Sequence, residues 1–313
     1  MFSAHLDTVP LCKGAVPMVE GDRIVAKGNT GLGGDDRSGC AAMVTLAETL
    51  LKNKITHPPI TLLFPIAEEN GLHGSRMVRF EDLGRPAMGF NLDGQCPNEL
   101  VIGAMSAMRW RAEITGISTH AGLAPHKGIS AGLIGSKAMA AVARQGYFGR
   151  IVKGNRTGTS NLGTIVGGQA SNQVMDHAVF TGECRSHKAA FLAHIVEVYR
   201  AAFAKAVQDT PNADGKLGSV EFTTVGDYQA FRLKKSSPCV KIAAKAVEAL
   251  GMVPNPLVMD AGLDANNFNE KGLPTVTLGT GSHHFHQRDE YVEIAEYLAA
   301  CEVLLNISRL AAA

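Results

Sequence analysis

Several imidazole and carboxylate side chains of this 313-residue chain are placed where they could bind metal ions and move a proton. The candidates are His5, Asp7, Asp35, Glu68, Glu69, Asp93 and His286. Five of them, His5, Asp35, Glu69, Asp93 and His286, are candidate ligands. A single ion takes three or four protein ligands, so five are too many for one ion and suit two ions that share a carboxylate. The set therefore predicts a two-metal hydrolytic centre.

The Gly-rich segment Gly33-Gly34-Asp35-Asp36 contains the predicted bridging ligand, Asp35. Adjacent carboxylates repel each other and paired glycines lose backbone entropy on folding, so the segment is a poor choice for an ordinary loop. A bound cation removes both objections, because it draws carboxylates together and requires close backbone approach. Taken alone, such a segment is more often a turn or a helix cap.

The other four ligands divide into two pairs. We expect His5 and Asp93 on one ion and Glu69 and His286 on the other, with Asp35 between them. Each ion then has three protein ligands, which leaves room for a water molecule.

Two further acidic residues are not needed as ligands. Asp7 would accept the second N–H of the His5 imidazole and hold that ring in position. Glu68 stays uncoordinated, so it is the predicted general base that takes a proton from water and passes it to a leaving amine.

Each of these signals also has an ordinary structural explanation. A His-x-Asp pair is usually a surface hydrogen bond, adjacent glutamates usually begin a solvated helix, and Asp-Gly is usually a turn. His283, His284 and His286 could together form an exposed polar loop, and either of the first two could replace His286 as the ligand.

Position along the chain favours the functional interpretation. Buried strands are predicted by three mostly apolar segments, at the start of the chain, over 60–64 and over 88–92. Candidate residues follow each of these segments. A hairpin is predicted over 19–27 and a helix over 36–54. In open α/β sheets, ligands collect outside the carboxyl ends of the strands, so these residues should share one site.

The sequence pattern changes near residue 107 and reverts near residue 232. The intervening part predicts strands over 109–117, 161–166, 174–184 and 219–224 and helices over 130–145 and 189–207. This β-α-β-β-α-β order is typical of one antiparallel sheet with two helices on one face. The later part predicts helices over 238–250 and 292–310 and a strand over 275–278. We therefore expect a catalytic domain formed by 1–106 and 232–313, with an inserted α+β domain over 107–231.

Composition narrows the possible partners. The net charge is +1 and the basic residues are dispersed, which argues against nucleic acid or an anionic membrane as the main partner. The sequence has no apolar run of the ~18 residues that a membrane helix needs. Its 6 cysteines are scattered without a C-x-x-C pair, so we expect a cytoplasmic protein with reduced thiols.

In this order and spacing, the motifs resemble those of the M20 family of di-zinc peptidases, and most of all its peptidase T-like (tripeptidase) branch. The matching runs are Ser3 to Val9, Leu32 to Gly39, Ala67 to Leu72, Asn91 to Asp93, His286 to Glu290 and Thr119 to Gly122, with Asn172 and Arg185 further along. The resemblance covers nearly the whole chain. It implies an α/β fold in which a mixed, mostly parallel sheet is flanked by helices, as in di-zinc exopeptidase catalytic domains, with an inserted α+β lid and dimerisation domain.

For the metal centre, the resemblance implies the same ligands, base and brace, and two divalent ions: zinc, with cobalt or manganese as alternatives. It favours His286 over its neighbours, because His286 begins a His-x-x-x-Glu pattern that ends at Glu290. It also implies a cis peptide bond between Asp35 and Asp36.

Within the insert, the resemblance implies roles for three residues. His120 would donate to the oxyanion of the tetrahedral intermediate in a neighbouring subunit, so we expect a homodimer formed through the lid domain. Arg185 would bind a substrate carboxylate and Asn172 the substrate backbone, although Arg185 could equally be a surface strand residue. The pair Asp260-Ala261 stands where the family usually has paired glycines, near the specificity pocket.

Family members carry some tens of residues before the His-x-Asp strand, which contribute a strand and a helix. By that comparison, we expect one edge of the catalytic sheet in this chain to lack its usual cover.

The predicted reaction is metal-dependent hydrolysis of short peptides. One alternative keeps the chemistry but acts on N-acyl amino acids, and another is an inactive metal-binding relative. Retention of Glu68, which binds no ion in this scheme, counts against the inactive relative.

Overall fold

The computed structural model describes residues 1–312, which form two compact units. The first unit is built from residues 1–104 and 231–312, and the second from Met105–Ala230. The sequence predicts an insert over 107–231, whose limits lie close to those of the second unit.

The helices and strands are numbered in chain order. Up to the end of the first segment they are β1 (Phe2–Ser3), β2 (Pro17–Glu20), β3 (Arg23–Ala26), α1 (Gly34–Lys52), β4 (Leu62–Leu63), α2 (His73–Met77), β5 (Gly89–Gly94) and β6 (Glu99–Ala104). The second unit contains β7 (Ser106–Thr115), α3 (Ala131–Arg144), β8 (Gly149–Lys153), β9 (Arg156–Gly167), β10 (His177–Ser186), α4 (Ala189–Gln208) and β11 (Ser219–Tyr228). The returning segment adds β12 (Phe231–Arg232), α5 (Pro238–Glu248), β13 (Asn255–Met259), α6 (Asp264–Glu270), β14 (Thr275–Gly279), β15 (Ser282–His283), β16 (Tyr291–Glu293) and α7 (Ile294–Leu310).

The first unit is organised around a sheet with the strand order β12-β6-β14-β5-β1-β4, and β13 also pairs with β6. Strand β1 is parallel to both β4 and β5, β14 is parallel to β5, and β13 is parallel to β6. Within the described part of this sheet, only the pairings of β6 with β12 and β14 are antiparallel. This mixed, mostly parallel sheet flanked by helices confirms the fold class predicted from the sequence.

Apolar side chains cover both faces of this sheet. Phe2 stacks on Phe90 with ring centroids 5.4 Å apart, in a core shared with helices α1, α5 and α7. Met1 joins Phe268 of α6 in a separate cluster. Because successive residues of a strand point to opposite faces, Met1 and Phe2 mark the two sides of the sheet. Full burial of each such side chain contributes about 1.5–3 kcal/mol, which fixes the strand ends that follow.

Several elements of the first unit were not predicted, among them α2, β6, β13 and α6. Helix α6 has the sequence Asp-Ala-Asn-Asn-Phe-Asn-Glu, whose asparagines are poor helix formers. Tertiary hydrogen bonds hold it instead, because the Asn267 amide donates to Leu72 O at 3.0 Å and to Ser75 Oγ at 2.8 Å. Local propensity could not reveal contacts with residues so far away in the chain.

The second unit corrects the strand order predicted for the insert. Its sheet runs β11-β7-β10-β9-β8 with every pairing antiparallel, so the element order is β-α-β-β-β-α-β. The additional strand, β8, lies at the sheet edge and has the sequence Gly-Arg-Ile-Val-Lys, which lacks the long apolar run of a buried strand. Helices α3 and α4 pack on one core with Trp110, Phe180 and Phe203.

A small antiparallel sheet with the order β15-β16-β3-β2 lies in the first unit and includes the hairpin predicted over 19–27. Within the described residues 1–312, the helices are too short or too polar to cross a membrane.

Candidate metal centre

Neighbouring parallel strands deliver the candidate residues to one edge of the sheet. His5 follows β1, the Glu68-Glu69 pair follows β4, and Asp93 is the second-last residue of β5. Because β1 is hydrogen-bonded to β4 on one side and to β5 on the other, these residues leave the sheet side by side.

The His5 imidazole lies in the middle of this group and is 2% exposed. Its Nε2 is 3.2 Å from Asp35 Oδ1 and 4.0 Å from Asp93 Oδ1. His5 belongs to two sets of potential ligands, one with Asp35 and Glu69 and one with Asp36 and Asp93. Within each set, one ligand atom from every residue lies within 4.8 Å of the others. Imidazole nitrogen and carboxylate oxygen suit zinc and similar ions.

Asp35 faces a different histidine with each of its carboxylate oxygens. Oδ1 lies 3.2 Å from His5 Nε2, and Oδ2 lies 3.2 Å from His286 Nε2. The same His286 nitrogen is 3.0 Å from Glu69 Oε2. This is the arrangement expected of a carboxylate that bridges two cations.

The neighbouring histidines point to other carboxylates. His283 Nε2 lies 2.6 Å from Glu296 Oε2, and His284 Nδ1 lies 2.7 Å from Asp289 Oδ2. Of the three histidines in this loop, His286 is the one that contacts both Asp35 and Glu69.

The electrostatics of the group favour bound positive charge. Burial alone would lower the pKa of His5, but its hydrogen bonds to Asp35 and Asp7 outweigh burial and raise that pKa above its usual range. Hydrogen bonds to Asp35 and Glu69 raise the pKa of His286 to about 10. Burial and the charge of Asp35 raise the pKa of Asp93 well above its usual range. Divalent cations would offset this crowding of carboxylates.

Glu290 holds the turn that presents Asp35. Its Oε2 accepts a hydrogen bond from the Gly33 amide at 2.7 Å and its Oε1 accepts one from the Asp35 amide at 3.0 Å. Gly33 has a φ of 76°, a conformation that favours glycine. In the sequence, Glu290 was recognised only as the last residue of the His-x-x-x-Glu motif. That motif gave no indication that Glu290 accepts the amides of the turn before α1.

Asp36 fixes the same turn from the opposite side. Its Oδ2 accepts a hydrogen bond from the His5 amide at 3.1 Å, and its side chain is buried. The peptide bond between Asp35 and Asp36 is cis, as the family resemblance implied. Helical backbone angles begin only after Asp36, so Asp35 belongs to the turn rather than to α1.

Asp7 contacts both His5 and the glutamate loop. The His5 ring donates from Nδ1 to the backbone carbonyl of Asp7 at 3.0 Å, while the nearest carboxylate oxygen of Asp7 is 3.7 Å away. That carboxylate accepts hydrogen bonds from the amides of Glu68 at 3.1 Å and Glu69 at 3.3 Å. The brace predicted from the sequence is therefore a backbone oxygen, and the carboxylate fixes the loop that carries Glu68.

Glu68 has an altered acidity. Burial raises its pKa to about 8, the charge of His5 opposes that rise, and the carboxylate of Asp264 adds to it. A carboxylate with a pKa near neutrality can both accept and release a proton in one catalytic cycle.

His120 and Asn172 lie together in the second unit. The amides of Gly122 and Leu123 donate to His120 Nδ1 at 3.1 and 3.2 Å. With Nδ1 acting as an acceptor, the neutral ring carries its proton on Nε2 and can donate from it. The residue as a whole is exposed. The backbone carbonyl of Asn172 accepts from the Ala121 amide at 2.9 Å, so the two segments are directly hydrogen-bonded.

Arg185, also in the second unit, has a carboxylate partner within its own strand. Its Nε and terminal nitrogen donate to the two oxygens of Glu183 at 2.9 and 3.1 Å. A substrate carboxylate would have to displace Glu183 from this bidentate pair.

Sequence and structure comparisons agree on the relatives of this chain. The sequence model of peptidase family M20/M25/M40 matches residues 1–309. The protein YqjE of Bacillus subtilis (strain 168) is 32% identical over 308 residues, which are 98% of this chain and 79% of YqjE.

Two solved structures are similar throughout. Aminopeptidase PepT from Bacillus cereus ATCC 10987 is 30% identical, with a TM-score of 0.84 over 100% of this chain and 80% of that one. A tripeptidase from Staphylococcus aureus subsp. aureus Mu50 is 28% identical, with a TM-score of 0.88 over 99% of this chain and 80% of that one.

Proposed function

Because the chain belongs to peptidase family M20/M25/M40, and to its peptidase T-like branch as the sequence predicted, we propose that it is a metal-dependent hydrolase of short peptides. The observation that carries this proposal is the position of Asp35, whose two oxygens each lie 3.2 Å from a different histidine. The names of the similar solved proteins, an aminopeptidase and a tripeptidase, support a substrate of a few residues.

The donor set fits two divalent ions. His5 and Asp93 would hold one ion, Glu69 and His286 the other, and Asp35 would contact both. Zinc is the ion we propose, with cobalt and manganese as alternatives that this set of nitrogen and oxygen donors also suits. When bound, such ions supply a water molecule of lowered pKa and polarise the scissile carbonyl.

The proton transfers belong to Glu68. Its carboxylate accepts a proton from the attacking water and delivers it to the nitrogen of the leaving amine. The raised pKa of about 8 favours uptake of that proton, and nearby cations would lower the pKa toward neutrality and favour its release. Asp7 keeps Glu68 in place by accepting its backbone N–H.

His120 is the proposed donor to the oxyanion that forms when water attacks the carbonyl. Its Nε2 carries the proton because two backbone amides occupy Nδ1. In the proposed homodimer this donor comes from a second copy of the chain. Asn172 would bind substrate backbone, and Arg185 would bind a substrate carboxylate in exchange for Glu183.

A comparison of substrates and of one variant tests the proposal. The zinc-loaded protein is assayed with a panel of tripeptides and with N-acetyl amino acids, beside Glu68→Ala and the exposed-glutamate control Glu81→Ala. We expect cleavage of tripeptides, a loss of about 10²–10⁴-fold in kcat in Glu68→Ala with unchanged metal content, and no loss in Glu81→Ala.

Other outcomes identify the alternatives. Turnover of N-acetyl amino acids alone would replace the peptidase by a deacylase. Absence of all turnover in the loaded parent protein would indicate an inactive metal binder. Activity in Glu68→Ala equal to that of the parent protein would refute the assignment of the base.

A further inference from the structure

Cys96, His283 and Glu296 form a second group of metal-ligating side chains in the first unit. One potential ligand atom from each of the three lies within 4.8 Å of the others. Cys96 belongs to the turn between β5 and β6, His283 to β15, and Glu296 to the first turn of α7. These side chains take no part in the proposed hydrolytic centre.

Backbone contacts bring the three segments together. The Gly281 amide donates to Gln95 O at 2.7 Å. This bond joins the residue before β15 to the turn that carries Cys96. A side chain at Gly281 would lie 2.8 Å from Glu296 Cβ, so glycine is needed for this approach. Glu99 fixes the turn itself, because its carboxylate accepts the Cys96 amide at 3.2 Å. The geometry of the group is therefore set by the fold rather than by flexible side chains alone.

The nitrogen ligand of His283 and the oxygen ligand of Glu296 are already oriented. His283 Nε2 lies 2.6 Å from Glu296 Oε2. The His283 ring stacks on Tyr291 with centroids 5.1 Å apart and an interplanar angle of 21°, which fixes the plane of the imidazole. The His283 and Glu296 side chains are 19% and 33% exposed, so an ion can reach them from solvent.

A neutral thiol completes the group in the absence of an ion. Burial raises the pKa of Cys96 to about 11, with the charges of Glu99 and Glu296 as further causes. A divalent cation would displace the thiol proton, because the thiolate is the form that binds metal. Thiolate and carboxylate together carry two negative charges, which balance the charge of one divalent ion.

We propose that Cys96, His283 and Glu296 bind one zinc ion or a similar borderline divalent cation, with water as a fourth ligand. The sulfur ligand selects zinc or cobalt over magnesium, calcium and manganese. Such an ion would link the ends of β5, β15 and α7. The proposal does not depend on the activity proposed above.

Cobalt(II) is the probe that separates this site from the hydrolytic centre. Thiolate bound to cobalt(II) gives an intense charge-transfer band in the near ultraviolet, and the proposed hydrolytic centre has only nitrogen and oxygen ligands. Cobalt(II) is titrated into the chelator-treated 313-residue protein, into Cys96→Ser, and into Cys301→Ser, a control that removes another partly exposed thiol of the same unit.

We expect the band in the parent protein and in Cys301→Ser, and its absence in Cys96→Ser. Glu296→Gln keeps the thiol but loses a charged ligand, so it should bind cobalt about tenfold or more weakly as judged by the same band. Absence of the band in the parent protein, or a band that Cys96→Ser retains, would overturn the proposal.

A second measurement requires no variant and covers the case in which Cys96→Ser does not fold. Zinc should slow alkylation of Cys96 by iodoacetamide, followed by mass spectrometry, and should leave alkylation of Cys301 unchanged. Equal protection of both thiols would mean that zinc acts only by stabilising the protein as a whole, and the site would be rejected.

Discussion

At the scale of single residues, Asp7 shows how one residue can organise two parts of a site. It accepts the amides of Glu68 and Glu69, while its backbone oxygen accepts from His5. Replacing a residue that does not bind the metal but holds its ligands in place typically weakens metal affinity by about 10–100-fold.

Asp7→Asn should therefore weaken metal binding by about 10–100-fold and lower kcat. The amide nitrogen of asparagine would face a backbone N–H where a carboxylate oxygen now accepts one. The measurement is a zinc titration by calorimetry with a parallel activity assay, and Asp22→Asn, at a site where the side chain is 79% exposed, is the control. Equal zinc affinity in the two variants would contradict this role of Asp7.

Asp264 should set the pH at which the base becomes active. Its buried carboxylate raises the pKa of Glu68, and its own pKa is raised to about 6 by burial. Above that pH Asp264 is charged and makes deprotonation of Glu68 harder. Because a general base works only when deprotonated, the rate rises with pH through the pKa of Glu68.

Asp264→Asn should shift the acidic limb of the kcat/KM profile to lower pH, because the neutral amide no longer raises the pKa of Glu68. Profiles are measured with the zinc-loaded protein. Glu270→Gln, at an exposed position of the same helix, should leave the limb in place. A limb that does not move, or that moves to higher pH, would exclude an electrostatic effect of Asp264 on the base.

Residue types and spacing allowed the candidate ligands to be chosen before any geometry was known, because metals restrict the possible donors severely. The contacts that hold those candidate ligands in place could not be predicted from the sequence. Nothing in the sequence shows that the Asp7 carboxylate accepts two amides of a loop 61 residues away, or that Arg185 is paired with Glu183. Such contacts depend on register and rotamer rather than on residue type.

At the scale of elements, the Gly-rich turn before α1 depends on a residue from the other end of the chain. Glu290 precedes β16 and accepts the amides of Gly33 and Asp35 with its two oxygens. Its side chain is 2% exposed, so water cannot replace these bonds.

Glu290→Gln should destabilise the protein by about 1–3 kcal/mol, because the glutamine amide nitrogen would meet one of the two N–H donors and leave it unsatisfied. Glu293→Gln, which removes a surface ion pair with Arg23, should cost about 1 kcal/mol or less. Denaturant unfolding of the metal-free proteins measures both changes. Equal losses would show that the turn does not need Glu290.

Elements with long apolar or periodic runs were predictable, and those held by tertiary contacts were not. Helix α4 was predicted over 189–207 and is observed over Ala189–Gln208. Edge strand β8 and helix α6 were missed, because a strand with one buried residue and a helix with three asparagines carry weak local signals. Their stability comes from neighbours that the local sequence does not specify.

At the scale of the whole molecule, the proposed ions join segments that are distant in the chain but lie in the first unit alone. Removing them should destabilise that unit by linkage and leave the second unit unaffected. The single tryptophan of the chain, Trp110, is buried in the second unit and reports on it separately.

Chelation should therefore lower a thermal transition followed by far-ultraviolet circular dichroism and leave the transition followed by Trp110 fluorescence unchanged. Zinc added back to the chelated protein should restore the first transition. A parallel fall of both transitions would mean that the two units unfold as one, and an unchanged dichroism transition would mean that the ions contribute nothing to stability.

The proposed origin of His120 in a second copy of the chain can be tested by mixing two inactive variants. Glu68→Ala lacks the proposed base and His120→Ala lacks the proposed oxyanion donor, so each homodimer should be nearly inactive. If each site combines Glu68 of one copy with His120 of the other, a mixed dimer contains one site with both residues intact. Random exchange of subunits should then restore about a quarter of the parent rate, because half of the dimers are mixed and half of their sites are intact.

If His120 instead serves its own copy, every site in the mixture lacks one of the two residues and no activity returns. The variants are mixed after partial unfolding and refolding together, and their rate is compared with that of each variant refolded alone. Size-exclusion chromatography with light scattering confirms that dimers are present before the rates are compared. A monomeric parent protein with full activity would refute the role of the second copy outright, because the oxyanion donor would then have to come from within one chain.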